Sequence, residues 1–166
     1  PFEPANLPGG LAAGVVTFEL NTSLILLPKT PMRKRFFDPR VGYFATGYTV
    51  YDDNSQKAQV ETFAVRWRLE AKNQADAERQ QKGTLIEPAK PIVFYIDPAT
   101  PAKWRSSLKK GIEDWQPAFE QAGWKNAIQA RDWPDADSTM SLEDARFSVI
   151  RYFASNVQNA YGPNVS

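Results

Sequence analysis

Apolar and polar positions alternate with a strand-like period in the first half of this chain and with a helical period in the second. Residues 42–51 are dense in aromatic and β-branched side chains and predict a strand, Asp52-Asp53-Asn54-Ser55 predicts a turn, and residues 60–69 predict the returning strand. In that second run Val60, Thr62 and Ala64 point one way and Phe63, Val65, Trp67 and Leu69 the other, with the register slipping at Glu61. Upstream, the short apolar runs Val15–Leu20 and Ser23–Leu27, separated by a polar Asn21-Thr22-Ser23 turn, predict a further hairpin closed by Pro28. Ala71–Thr84 carries good helix formers but no large apolar side chain, so it reads as a loop or an exposed helical turn.

The pattern changes after this polar insert. Ile92-Val93-Phe94-Tyr95-Ile96 is a continuous apolar run, as expected for a strand covered on both faces. Thr100 is placed to cap a helix starting at Pro101, where the missing N–H costs nothing. Trp104, Leu108, Ile112, Trp115, Phe119 and Ala122 then recur at helical spacing and predict one apolar stripe packed on a sheet. Pro117 predicts a kink near residues 113–117, and Gly123 falls where a left-handed C-terminal cap belongs. Ala127–Ala130 and Phe147–Phe153 predict two more strands around the polar, turn-rich segment Asp132–Asp144. The expected fold is therefore α+β or α/β: N-terminal β-hairpins, then a strand–long helix–strand–strand unit with crossover topology. The best internal boundary lies near residues 70–90, giving a β-rich segment 1–88 with a Pro/Arg-rich connector and an α/β unit 89–166.

Composition narrows the classes. With 42% apolar residues, five Trp, ten Phe and six Tyr in 166 residues, this is a folding chain and not a disordered tail. A net charge of +1 supplies no long-range field that would select nucleic acid or a membrane surface. No apolar run approaches the ~20 residues of a membrane span. The chain contains neither histidine nor cysteine, which removes imidazole and thiolate ligands, disulfides, Cys nucleophiles and the usual serine triads. Pro1 is no initiator and Tyr161–Ser166 reads as the middle of a loop, so the expectation is a piece of a longer protein.

Few clusters invite chemistry. Arg33, Lys34 and Arg35 sit among Pro28, Pro31 and Pro39 in a stiff basic connector, read as a solvated surface segment or, alternatively, as a strap across another domain along an acidic cleft. Asp132, Asp135, Asp137, Glu143 and Asp144 offer oxygen ligands but lack the twelve-residue calcium-loop spacing, and read as solvated loop acids. Tyr43, Phe44, Tyr48 and Tyr51 could stack on a sugar, although cross-strand packing explains them as well. Trp104, Trp115 and Trp124 read as core. No catalytic or metal-binding residue is identified, and no ligand is assigned to any binding residue.

Longer strings carry a resemblance. Ile92–Asp97, the run from Trp104 through Gly111-Ile112-Glu113-Asp114-Trp115 to Ala122-Gly123-Trp124, and Ser148-Val149-Ile150-Arg151-Tyr152 with Asn159-Ala160-Tyr161-Gly162-Pro163 resemble the opening of a metzincin-type domain in large secreted bacterial zinc-dependent metallopeptidases. Leu26-Leu27-Pro28-Lys29-Thr30-Pro31-Met32, Arg40-Val41-Gly42-Tyr43-Phe44 and Arg66-Trp67-Arg68-Leu69 resemble the upstream domain of unknown function in the same proteins. The resemblance implies the upper subdomain of a zincin, secretion or a periplasmic or cell-envelope location, and zinc and a peptide substrate for the parent. The family's His-Glu-x-x-His helix and methionine turn have no counterpart here; Met32 and Met140 lie in other contexts. The expectation is a non-catalytic fragment that holds no cofactor, binds no nucleic acid and self-associates through an exposed sheet edge. The alternative is a self-contained α/β binding or interaction domain.

Overall fold

The computed structural model describes residues 17, 19–134 and 136–153. The β-branched and aromatic run forms β1 (Ala45–Val50), which pairs antiparallel with β2 (Gln59–Ala64) from Ala45 opposite Ala64 to Val50 opposite Gln59. Phe63 is the buried residue of this hairpin. The slip at Glu61 has a local cause: Glu61 shares the Phe63 face and meets Lys34, whose ammonium also lies over the Tyr48 and Phe63 rings and bonds the Tyr48 hydroxyl. The basic connector is therefore no free segment. It runs antiparallel along the outer edge of β2 about a Phe36–Phe63 bridge, with Ala64 N donating to Arg35 O at 2.9 Å and Phe37 N to Thr62 O at 3.0 Å.

Among the described residues the hairpin predicted over 15–27 does not appear. Residues 19–27 take no strand pairing with any described residue and expose Leu20, Leu24, Ile25, Leu26 and Leu27, while Val15, Val16 and Phe18 of the first run lie outside the described residues. In the polar insert an eight-residue helix α1 (Gln74–Gln81) forms without an apolar face. Its ends hold it: Asn73 Oδ1 accepts from Asp76 N at 2.9 Å, and Gly83, at φ 86°, closes the last turn through Gly83 N to Gln80 O and Thr84 N to Arg79 O.

Beyond it, β3 (Ile92–Ile96) is the middle strand of a three-stranded parallel sheet of order β4-β3-β5, with β4 (Ile128–Asp132) and β5 (Ser148–Ile150) on its two sides. Parallel neighbours require a crossover, and α2 (Ala102–Glu113) with α3 (Gln116–Gln121) supplies the one from β3 to β4. The turn at Asp114–Trp115 and Pro117 in the first turn of α3 account for the predicted break in the helix. Gly123, at φ 88°, closes α3 as predicted, with Trp124 N on Phe119 O and Gly123 N on Glu120 O. The architecture is α+β: an antiparallel hairpin followed by a helix-covered parallel sheet.

The core is small and concentrated on the sheet: Ile86, Ile92, Ile96, Ala127 and Ile128, with Ile96 only 1% exposed. Ile96 lies opposite Asp132, and Lys109 of α2 reaches Asp132, so the face carrying Ile92, Phe94, Ile96, Ile128 and Ala130 lies under α2. Trp67 packs edge-on against Phe94, with ring centroids 5.8 Å apart. Tyr95 points the other way, into an edge-on triad with Trp133 and Phe147.

Two details differ from expectation. Thr100 does not cap α2: Pro101 occupies the cap position, and Thr100 turns inward, 2% exposed, in the tight turn where its N donates to Asp97 O. More consequentially, the apolar stripe does not face the sheet. The half-buried line of the helix is Arg105, Lys109, Ile112, Gln116 and Phe119, while Trp104 and Trp115 remain 50% and 62% exposed. The helix is turned by roughly 60° from its apolar axis. Polar anchors explain this: Arg105 donates to Thr100 O and Pro98 O at 2.8 and 2.7 Å, Lys109 pairs with Asp132, and Gln116 Nε2 donates to Ile128 O at 2.6 Å.

The two glycines of this unit should respond oppositely to alanine. A Cβ at Gly111 meets nothing within 4 Å, so Gly111→Ala should stabilise by about 0.5–1 kcal/mol. A Cβ at Gly123 would be held at positive φ and 3.0 Å from Gln80 Nε2, so Gly123→Ala should cost about 1–2 kcal/mol. Urea unfolding of the two variants measures both.

Candidate functional site

Three places gather polar chemistry. The first is the carboxyl end of the sheet, where Asp97, 3% exposed, follows β3. Its carboxylate accepts from Ala99 N at 2.8 Å, Arg151 Nε at 3.1 Å and Tyr152 N at 3.2 Å, joining the exits of β3 and β5. Arg151 also donates to Glu143 at 2.9 Å, and that bond, more than Asp97, holds its guanidinium above the usual range. Thr100 Oγ1 is enclosed beside this turn with no partner among the described residues. Every lone pair used on Asp97 goes to a structural donor, so this cluster is a clasp.

The second place is an open cavity of about 500 Å³ near the amino ends of β3 and β4, lined among others by Lys72, Glu87, Glu113, Gln116, Asn126 and Gln129. Asn126 stands in the left-handed region at φ 53°, which turns its side chain to donate to Glu87 at 2.9 Å. That bond and the Lys72 ammonium at 3.0 Å hold the Glu87 carboxyl below its usual range. Gln116 Oε1 is enclosed without a donor among the described residues. Sequence reasoning missed this site because its residues come from four separated segments and share no spacing.

The third place is the basic connector, where Arg33 and Arg35 stand exposed beside Arg66, two residues past the end of β2.

The acids singled out in the sequence are not brought together. Asp132 pairs with Lys109, Glu143 with Arg151, and Asp144 with Arg146; Asp135 lies outside the described residues. Asp137 closes a turn by accepting from Thr139 N and Oγ1, which lowers its pKa, as the Arg146 guanidinium lowers that of Asp144. Among the described residues no three His, Cys, Asp or Glu side chains are grouped to hold a metal ion, and without histidine or cysteine the donor set does not fit zinc. The aromatic platform also divides. Tyr48 packs on Phe63 at 5.5 Å, on the opposite pleat from Tyr51, and Phe44 and Tyr51 stay largely exposed. Among the described residues no helix is long and apolar enough to cross a membrane.

The Asp97 clasp and its rim should separate energetically. Arg151→Met removes one of three donors to a buried carboxylate and should cost about 2–3 kcal/mol. Glu143→Gln, on the exposed side of the same arginine, should cost less than about 0.5 kcal/mol in the same unfolding assay. The pH dependence follows from lowered carboxyls. Glu87, Asp137 and Asp144 all have folded pKa values below their unfolded ones, so their contributions are present above the ordinary carboxylate range and vanish as pH falls through the folded values. Thermal midpoints should be flat above about pH 5 and fall below about pH 4, with a shallower fall in Glu87→Gln.

No curated protein and no solved structure matches this chain. Residues 4–72 match the family model described as Domain of unknown function (DUF5117), a span that takes in the basic connector and the β1–β2 hairpin and stops at Lys72, just before α1.

Proposed function

We propose that this chain is a non-catalytic part of a secreted or periplasmic bacterial zinc-dependent metallopeptidase. It joins an upstream β-rich domain to the first sheet and helix of the peptidase unit. The observation that carries the reading is the bare stripe of α2. Trp104, Leu108 and Trp115 lie beside the sheet and not on it, and a stripe of two half-exposed tryptophans on a helix is an incomplete interface. With the right-handed crossover general to strand–helix–strand units, that stripe turns toward β5, over the face that carries Phe94 and Trp67. One further helix laid there would complete the layer, and in the resembled peptidases a zinc-ligating helix follows this unit. The long strings quoted above and the DUF5117 match upstream agree with the reading. Zinc and the peptide substrate belong to the parent.

A second reading, a self-contained α/β binding or interaction domain, is favoured by one observation: the polar cavity beside Gln116 needs nothing outside the chain to form.

The coding region separates them. A His-Glu-x-x-His motif within roughly a hundred residues after Ser166 is expected, while a stop codon there would leave the second reading. The 166-residue chain should neither bind zinc stoichiometrically nor hydrolyse peptides. In a longer product carrying the motif, acrylamide should quench Trp104 and Trp115 less than in this chain. Unchanged quenching would overturn the proposed packing, and peptidase activity in the short chain would overturn the assignment itself.

A further inference from the structure

The basic connector has a chemistry that its structural role leaves unused. Around the Phe36–Phe63 bridge, the alternation of an antiparallel pair puts Arg33 and Arg35 on the pleat opposite Phe36. Thr62 and Ala64 share that side, and past the end of β2 the chain runs on to Arg66 and Arg68, whose side chains are tied to the connector's backbone. Continuing the register places Arg33 across from Arg66, and Arg66 Nη2 donates to Arg33 O at 2.6 Å, which confirms the neighbourhood. Arg68 Nη1 donates to Thr30 O at 3.0 Å, keeping the second pair beside the connector. Arg33 and Arg35, two residues and about 6.6 Å apart along the connector, form the open rail of a short ladder whose other side is Arg66 and Arg68.

The open rail lacks acidic partners among the described residues. Among the described residues Arg33, Arg35 and Arg66 form no salt bridge, and Arg68 alone meets an acid, Glu70 at 2.9 Å. The guanidiniums of Arg33 and Arg35 donate to no described residue, leaving their forks open. Like charges facing one another across strands destabilise a sheet. Arg66 is held below the usual arginine range, first by burial and then by the nearby Arg35 charge. The floor beside the ladder is low: Ala45 opposite Ala64 and Gly47 opposite Thr62 present small side chains, so a backbone can approach.

We propose that Arg33 and Arg35, backed by Arg66 and Arg68, form a docking site for an extended acidic peptide segment whose carboxylates, two residues apart, meet the two open arginine forks. The strand repeat of such a segment equals the ladder spacing, and arginine forks bind carboxylates in pairs. A net charge of +1 gives no long-range attraction for nucleic acid, so local complementarity selects a short acidic stretch. This site is independent of the peptidase reading.

Fluorescence anisotropy with a labelled short peptide carrying aspartate at alternate positions tests it. Binding should weaken with salt and fall at least tenfold, on the order of two charged hydrogen-bond pairs, in the Arg33→Gln/Arg35→Gln double variant. A Lys29→Gln/Lys57→Gln control of equal charge change should bind as the parent chain does. Relief of repulsion should raise the double variant's thermal midpoint by about 1–2 °C. Equal binding by the double variant and the parent chain would overturn the site. So would a fall in its midpoint, which would make the arginines a structural staple, and so would equal or tighter binding of an oligonucleotide or of inorganic phosphate.

Discussion

A carboxylate removed from water must be met by donors, and Asp97 imposes that requirement at the point where the α/β layer is assembled. Its three donors come from the turn after β3 and from the backbone and side chain that follow β5, which lie 54 and 55 residues further along. β5 is three residues long, too short for its ladder bonds alone to fix it. The clasp sets where β5 stops and how the first turn leads into α2. The orientation of α2, and with it the exposure of the tryptophan stripe, follows from the same corner, where Arg105 binds the carbonyls of Pro98 and Thr100.

Strands with a strong pattern were legible in the sequence: β1 and β3 fall inside the predicted runs, β2 meets its run over residues 60–64 and ends before residues 65–69, and the break before Pro117 and the cap at Gly123 have local causes that residue type reveals. The rotation of α2 was not legible. Periodicity locates an apolar stripe but not what faces it, and here Arg105, Lys109 and Gln116 outcompete the stripe through specific bonds to the sheet and its turn. α1 was half legible, since its support is capping chemistry at Asn73 and Gly83 with no apolar face.

The candidate sites were less readable than the fold. A run of Arg-Lys-Arg among prolines looks like a solvated connector, and only cross-strand pairing shows that its alternate residues have different neighbours. Lys34 is consumed by Tyr48, Phe63 and Glu61, whereas Arg33 and Arg35 face Arg66. Conversely, the acids between residues 132 and 144 form a cluster only in one dimension; each described one is paired or closes its own turn.

The carbonyl of Gly123 accepts both Gln80 Nε2 at 3.1 Å and Ile86 N at 3.3 Å, while Lys125 N donates back to Ile86 O at 2.8 Å. The segment that leads out of the hairpin half is thus moored to the end of the crossover helix, some forty residues later in the chain. During synthesis Ile86 emerges before its moorings exist, and its burial waits until Gly123 has closed α3. The two halves share one assembly step, whose timing is set by the slower, non-local closure of the crossover.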